Sequence, residues 1–121
     1  MRRRITLFAQ GFVALSFFAG AIMKLALPIH QLSGIWPWTG DLPELAVRAL
    51  GIVDLAGAIG VIMPALIGWR PAVTLLAGYG CATLQVCAMV FHASRGEFSS
   101  LPVNFFLLGA SVIIVSAYRQ Q

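Results

Sequence analysis

Five polar side chains stand inside long apolar runs or at their ends, and their types could do chemistry: Lys24, Asp54, Gln85, His92 and Asn104. An ammonium, a carboxylate and an imidazole can pair with charges or exchange protons, and the two amides can donate and accept hydrogen bonds. The group predicts a binding site for a small polar or amphipathic ligand. The sequence has no hydrolytic triad, phosphate-binding glycine loop or cluster of metal ligands, so we predict no catalytic residue and no metal site.

The composition indicates that the medium around these side chains is lipid. The chain is 60% hydrophobic and 10% charged, whereas an ordinary soluble domain is about 25% charged. The net charge of +4 does not indicate a nucleic-acid partner, because the Lys and Arg residues lie at the ends of the apolar runs, where they anchor helices at a membrane surface. Membrane lipid is therefore the predicted partner.

Four apolar stretches predict membrane-spanning helices over residues 5–27, 43–66, 71–92 and 101–118. Each is close to the roughly 20 residues that cross about 30 Å of hydrocarbon as a helix. Only helices and closed barrels satisfy the backbone in lipid, and these stretches lack the alternation of barrel strands. The predicted fold is all-α: an integral membrane four-helix antiparallel bundle, with residues 1–121 as one transmembrane domain.

The breaks between these stretches carry their own signals. Residues 28–42 contain glycine, serine and proline and predict a loop. Asp41 with Glu44 three residues later is typical of the capped start of a helix. Gly68 and Pro71 predict a tight turn into the third span.

Positive charge predicts the orientation of the bundle. With the N-terminus inside, the cytoplasmic ends carry Arg2, Arg3, Arg4, Arg70 and Arg119, and the outer ends carry Lys24, Arg48 and Arg95. The three consecutive arginines precede the first span, which usually decides orientation. We expect both termini to be cytoplasmic and the chain to lie in the inner membrane. The basic start and the small residues 19–21 also resemble a cleaved signal peptide, but the apolar run continues to Ile29, so we expect the first span to be retained.

Small or polar residues recur at helical spacing on each predicted span, as on a face buried against other helices in lipid. At about 1.5 Å per residue, Asp54 lies roughly 15 Å into the membrane and Gln85 roughly 10 Å below the outer surface. Lys24, His92 and Asn104 lie close to that surface. The polar cluster should therefore fill the outer half of the bundle and leave the inner half mostly apolar.

Lys24 and Asp54 are predicted to pair, because side chains lean toward the N-terminus of their own helix and these two helices are antiparallel. The pair could belong to a ligand or proton site, or it could only join two helices, and Lys24 could instead extend to the surface. His92 could bind a ligand or could simply lie at the membrane boundary. Arg95 and Glu97 share a short outer loop and could pair with each other.

Several short motifs follow one another along the chain. The first half contains Ala19-Gly20-(x3)-Lys24-Leu25, Trp36-Pro37 and Arg48-(x2)-Gly51-(x2)-Asp54-(x2)-Gly57-Ala58-(x)-Gly60-(x3)-Pro64-Ala65. The second half contains Phe91-His92, Arg95-Gly96-Glu97 and Pro102-(x)-Asn104. This ordered set covers nearly the whole chain and resembles the DoxX-like family of bacterial membrane proteins.

The resemblance implies a four-helix integral membrane fold. The family is named for its likeness to a membrane subunit of thiosulfate:quinone oxidoreductase, and relatives are linked to membrane redox complexes. It thus implies an accessory membrane subunit of a quinone-linked oxidoreductase, with a soluble or membrane redox protein as partner. The family usually has Glu where this chain has Asp54, and the shorter acid reduces the reach of the carboxylate.

The five polar residues are compatible with three functions. Cationic and amide donors beside an apolar groove suit the head group of a quinone, and His92 could relay the protons that quinone reduction takes up. No haem, iron–sulfur or flavin ligation pattern is present, so we expect no cofactor within this chain and no complete redox enzyme. The alternatives are a structural or assembly membrane protein without chemistry, and a membrane protein that handles a small solute or protons. No feature of the sequence specifies an oligomeric state.

Overall fold

The computed structural model describes residues 2–119, and helix is the only regular secondary structure in that range. The helices are α1 (Arg2–Ala26), α2 (Ile29–Ile35), α3 (Glu44–Ile67), α4 (Pro71–Ser94) and α5 (Leu101–Arg119), with short 3₁₀ turns over Pro37–Gly40 and Phe98–Ser100. Helices α1, α3, α4 and α5 are long and apolar enough to cross a membrane. The four predicted spans are confirmed, although α1 begins at Arg2 rather than residue 5, since arginine is a good helix former.

The four spans form a ring in which α1 packs against α3, α3 against α4, α4 against α5, and α5 against α1. Gln10, early in α1, bonds to Val61, late in α3, and to Tyr118, near the end of α5. The spans are therefore antiparallel, which confirms the predicted bundle. We call the end with the start of α1 and the end of α5 the terminus end. The loop end carries the connections at residues 27–43 and 95–100.

Glycines let the spans approach closely where a side chain would not fit. A Cβ atom on Gly60 of α3 would lie 2.7 Å from the Cβ atom of Ala77 on α4. A Cβ atom on Gly51 would lie 2.9 Å from Leu25 and 3.0 Å from Lys24 on α1. Small residues at such contacts are the usual means of helix packing in lipid, where the hydrophobic effect does not drive helices together.

The connection at residues 28–42 is more ordered than the predicted loop. It contains α2, which begins after Pro28, and a 3₁₀ turn that begins at Pro37. Leu32 and Thr39 are fully buried, and the Thr39 hydroxyl donates a 2.7 Å hydrogen bond to the carbonyl of Trp36. Proline at the start of a helical turn has a suitable φ and lacks only an N–H that would be unpaired. The prediction of an irregular loop was therefore wrong.

The start of α3 also differs from prediction. Pro43 occupies the N-cap position, and no side chain caps the helix there. The Asp41 carboxylate, predicted as the cap, instead accepts a hydrogen bond from the guanidinium of Arg95 in the other connection. Arg48 caps the C-terminal end of α1. Its Nη1 donates hydrogen bonds to the carbonyls of Lys24 at 2.7 Å and Leu27 at 2.8 Å, which would otherwise lack partners.

Gly68 ends α3 in the left-handed conformation with φ of 67°. The amide of Trp69 then donates to the carbonyl of Pro64 at 2.8 Å, which closes the end of the helix. Glycine is favoured at this position because it has no Cβ to clash. The tight turn predicted between Gly68 and Pro71 is confirmed, and α4 begins at Pro71.

The core combines apolar and polar side chains along the length of the bundle. Its apolar centre consists of one aromatic residue and several smaller residues from all four spans: Ala9, Val13, Ala14, Phe17, Ala58, Val61, Cys81, Leu107, Ala110 and Ile114. Gln10 and Thr74 are fully buried near the terminus end. The inner half is therefore mostly apolar, as predicted, but Gln10 adds a buried polar group that was not predicted. Gln10 was overlooked because it stands alone in an apolar run, yet it lies at helical spacing from Val13 and Phe17 on the packed face of α1.

Candidate functional site

A cavity of about 660 Å³ lies at the loop end, between the four spans and beneath the connection that carries α2. Its walls are mainly apolar and aromatic, with a few polar side chains among them. The lining residues are Ser16, Phe17, Gly20, Lys24, Trp36, Trp38, Leu42, Leu50, Asp54, Leu84, Gln85, Cys87, Ala88, Phe91, His92, Ser99, Ser100, Val103, Asn104 and Leu107. We call it the loop-end cavity.

All five residues predicted as a ligand site line this cavity. Each of the four spans supplies at least one of them: α1 gives Lys24, α3 gives Asp54, α4 gives Gln85 and His92, and α5 gives Asn104. Residues far apart in sequence are thus brought into one chamber by the antiparallel packing. A chamber with apolar walls and a few convergent polar groups is the usual form of a small-molecule site.

Lys24 and Asp54 form the predicted ion pair, with 2.5 Å between Nζ and Oδ2. Only 15% of the Lys24 side chain and 7% of the Asp54 side chain are exposed, so Lys24 does not extend to the surface. The ammonium also lies 5.3 Å from the ring centroid of Trp36 and 5.8 Å from that of Trp38. A cation over an aromatic face is attracted to its negative potential. The Lys24 ammonium is therefore held on one side by the Asp54 carboxylate and on the other by the tryptophan rings of the connection.

Gln85 and Asn104 differ from this pair because each has a polar atom without a partner. Gln85 Oε1 and Asn104 Nδ2 are buried, and neither makes a hydrogen bond to any residue between 2 and 119. Buried polar atoms are almost always hydrogen-bonded, since leaving one unpaired costs about 1–3 kcal/mol. These two amides line the cavity from adjacent helices, α4 and α5. They are the side chains of the predicted set that have free capacity to bind a ligand.

His92 lines the cavity from the last turn of α4. Its Nδ1 lies 2.8 Å from Oε1 of Glu97, and its ring meets the edges of Trp38 and Phe91 with centroids 6.2 and 5.6 Å apart. The other oxygen of Glu97 accepts a 3.1 Å hydrogen bond from Nε of Arg95. The predicted pairing of Arg95 with Glu97 is therefore present and extends to His92.

This arrangement alters the ionisation of Glu97. The hydrogen bond from His92, followed by the hydrogen bond and charge of Arg95, lowers the pKa of the Glu97 carboxyl below its ordinary value. Arg95 also binds Asp41, so a network of side chains joins the two connections at the loop end. The Trp38 ring packs on Phe91 and His92, and all three side chains line the cavity.

Sequence reasoning overlooked the contact of Glu97 with His92. Gly96, between them, has φ of 74°, and this turns the chain back so that Glu97 faces the last turn of α4. A glycine directly after a helix end was the available signal, because it often adopts this left-handed conformation. Among residues 3–119, no group of three His, Cys, Asp or Glu side chains is placed to hold a metal ion.

Comparison with known proteins identifies the family. The model of the DoxX-like family matches residues 8–114, which include α3 and α4, most of α1 and α5, and the five predicted site residues. No curated protein and no solved structure matches the chain. With four helices able to cross a membrane and a family match over most of its length, this chain is a multi-pass membrane protein that belongs to the DoxX-like family.

Proposed function

We propose that the loop-end cavity binds the head group of a quinone, and that the chain acts as an accessory membrane subunit of a quinone-linked oxidoreductase. The observation that carries this proposal is the pair of buried, unpartnered amide atoms, Gln85 Oε1 and Asn104 Nδ2, in a cavity of about 660 Å³. A bound polar group would satisfy both atoms.

The chemistry of a quinone head group matches what the cavity offers. A quinone carries carbonyl acceptors and its reduced form carries hydroxyl donors, and a side-chain amide can serve either one because it presents both a donor and an acceptor. Asn104 Nδ2 would donate to a carbonyl, and Gln85 Oε1 would accept from a hydroxyl. The aromatic rings of Trp36, Trp38 and Phe91 supply flat apolar surfaces for the ring of the ligand.

The cavity also has a route by which a lipid-soluble molecule could enter. Val103 and Ser99 line the cavity and are themselves exposed, so such a molecule would enter beside the start of α5. Quinones reside in the bilayer, and their apolar tails would stay there while the head group occupies the chamber. This fits a location in the inner membrane, where respiratory quinones serve as electron carriers.

In such a complex the chain would bind the quinone and a partner protein with a redox cofactor would supply electrons. Reduction of a quinone to a quinol consumes two electrons and two protons. His92, which contacts Glu97 and lines the cavity, would pass protons from water to the bound ring. Proton relay of this kind is a common role of histidine near neutral pH.

A structural role is the second candidate, and one observation favours it. Lys24 and Asp54 already satisfy each other at 2.5 Å and join α1 to α3 without a ligand. On this alternative the polar residues only hold the helices together. The two candidate functions differ over Gln85 and Asn104. In a quinone site their unpartnered atoms would bind the ligand, whereas a structural role gives these atoms no partner.

The experiment is to purify the full-length protein in a mild detergent, extract it with organic solvent, and quantify bound quinone and co-purifying proteins by mass spectrometry. We expect near-stoichiometric quinone with the wild type and much less with Asn104→Leu, which removes the unpartnered amide without breaking a hydrogen bond to any residue between 2 and 119. Recovery of a flavin-, haem- or iron–sulfur-containing protein would support the accessory role. Absence of quinone from the wild-type protein would favour the structural role.

A further inference from the structure

A second, smaller pocket lies at the opposite end of the bundle from the proposed quinone site. It has a volume of about 330 Å³ and is formed by the turn between α3 and α4 together with the last turn of α5. Its lining includes Trp69, Arg70, Thr74 and Tyr118. We call it the terminus-end pocket.

Every charged or hydrogen-bonding side chain in this lining can donate. Arg70 carries a permanent positive charge, and Trp69, Thr74 and Tyr118 carry N–H or O–H groups. The Tyr118 hydroxyl accepts a 3.0 Å hydrogen bond from Nε2 of Gln10, which leaves its own hydrogen free to donate. The pocket also lies at the N-terminus of α4, where the helix dipole is positive. All of these features favour an anion.

The distribution of charge along the bundle leaves this positive potential uncompensated. All four acidic residues of the chain, Asp41, Glu44, Asp54 and Glu97, belong to the loop-end half. There they form ion pairs with Lys24, Arg48, Arg95 and His92. Arg70 and Arg119 lie at the terminus end with no acidic side chain nearby, and neither forms an ion pair within residues 2–119.

Thr74 gives independent evidence that this pocket is built for a ligand. The residue is fully buried, with 0% of its surface exposed, and it lines the pocket. Its Oγ1 makes no hydrogen bond to any described residue. A buried hydroxyl in the first turns of a helix normally bonds to a carbonyl one turn back or to water. An unpaired hydroxyl in the same pocket as the Arg70 guanidinium is an arrangement that a bound anionic oxygen would complete.

We propose that the terminus-end pocket binds a phosphate group, with Arg70 as the charged ligand and the Thr74 and Tyr118 hydroxyls as further donors. Phosphate oxygens accept several hydrogen bonds at once and prefer guanidinium and helix N-termini. The exposed Trp69 ring is suited to the level of lipid head groups. The same phosphate chemistry is offered by the head group of an anionic phospholipid and by free inorganic phosphate, and the experiment distinguishes these sources.

The test uses full-length protein in detergent with equal amounts of phosphatidylglycerol and phosphatidylcholine, and native mass spectrometry measures how much of each lipid is retained. We expect the wild type to prefer phosphatidylglycerol. Arg70→Gln should lower its retention about tenfold, the loss expected for one charge-assisted hydrogen bond. Thr74→Val should lower it about fivefold, and this isosteric change breaks no hydrogen bond to a described residue.

Arg119→Gln is the matched control, because it removes the same charge from the same end of the bundle but does not line the pocket. Retention by this variant should equal that of the wild type. An equal loss in Arg119→Gln and Arg70→Gln would overturn the proposal, as would equal retention of the two lipids by the wild type. Thermal unfolding of each variant checks that the fold is intact.

Addition of inorganic phosphate to the lipid-bound protein identifies the source of the ligand. If millimolar phosphate displaces phosphatidylglycerol, the pocket accepts the free ion as well as the lipid. If it does not, the acyl chains contribute to binding and the ligand is the lipid. Both results support a phosphate site, whereas a Thr74→Val variant that retains lipid as well as the wild type contradicts it.

Discussion

The Lys24–Asp54 ion pair joins two antiparallel helices within the membrane-spanning part of the bundle. Removing one partner of a buried pair leaves the other charge uncompensated and costs about 3–5 kcal/mol. We therefore expect Lys24→Met and Asp54→Leu each to lower the free energy of unfolding in detergent by about that amount. The double variant should recover part of the loss, because no unpaired charge remains. Strictly additive losses would show that the two residues do not interact.

The lowered pKa of Glu97 predicts that the stability of the protein depends on pH. Its pKa is lowered in the folded protein, chiefly by the hydrogen bond from His92. A carboxyl whose folded pKa is depressed contributes stability above its ordinary pKa, and the contribution is lost as pH falls through the folded pKa. Arg95, which also binds Asp41, remains charged throughout this range. The protein should thus lose stability below about pH 4.5, the ordinary value for the group.

The unfolding temperature in detergent, measured at about pH 6 and at about pH 3.5, tests this expectation. The fall between the two values should be smaller in Glu97→Gln, which cannot lose a carboxylate. Glu44→Gln is the control, because Glu44 is exposed and its contact with Arg48 is long, at 3.5 Å. A Glu97→Gln variant with the same acid sensitivity as the wild type would contradict the assignment.

At the level of single residues, the sequence was sufficient to identify the five polar residues that line the cavity. It did not show which of their atoms are hydrogen-bonded. Depth along each span and the spacing of small residues placed Lys24 and Asp54 on facing helices. The free atoms of Gln85 and Asn104 could not be predicted, because hydrogen bonding depends on distances of a few tenths of an ångström. Gln10 was missed because its partners, Val61 and Tyr118, come from two other helices.

At the element scale, close packing between α3 and α4 depends on Gly60. An added Cβ there would lie 2.7 Å from the Cβ atom of Ala77, so a helix would have to move. We expect Gly60→Ala to lower the free energy of unfolding by about 1–3 kcal/mol, the usual cost of overpacking. Gly80→Ala on α4 is the control, since nothing lies within 4 Å of its added Cβ. Denaturation in detergent measures both, and equal effects would contradict the packing.

The spans and the tight turn between α3 and α4 were predictable, but the connection at residues 28–42 was not. Twenty apolar residues in lipid have almost no alternative to a helix, because every backbone group must be bonded within the segment. The connection at residues 28–42 has no such constraint, and its α2 and 3₁₀ turn depend on the burial of Leu32 and Thr39 against the bundle. The cap predicted at Asp41 is absent because Asp41 binds Arg95. That contact joins residues far apart in the sequence, so local sequence does not predict it.

At the scale of the whole molecule, the charge distribution predicts the orientation in the membrane. The terminus end carries basic residues without acids, which is typical of a cytoplasmic end. We expect Arg119→Cys to be protected from an impermeant thiol reagent in intact cells and Ser99→Cys to react, in a background with Cys81 and Cys87 replaced by alanine. Both positions are exposed. The reverse pattern would place the termini outside.

The antiparallel ring explains why a chain of this length can contain a cavity. Four spans meet along an apolar core near Val13, Val61 and Ile114. Nearer the loop end, the polar side chains and the helical connection hold them around a chamber. The presence of four spans followed from composition, whereas the chamber required the packing of all four and could not be inferred from any one of them.

Titration of the purified protein with a quinone is the most direct test of the proposed ligand site in the loop-end cavity. A short-chain quinone analogue would be titrated against purified protein, with tryptophan fluorescence as the signal because Trp36 and Trp38 line the cavity. We expect saturable binding that Asn104→Leu weakens about tenfold. Ser111→Ala, two turns further along α5 and outside the cavity, should bind as the wild type does. Equal binding by wild type and Asn104→Leu, or no saturable binding at all, would contradict the account.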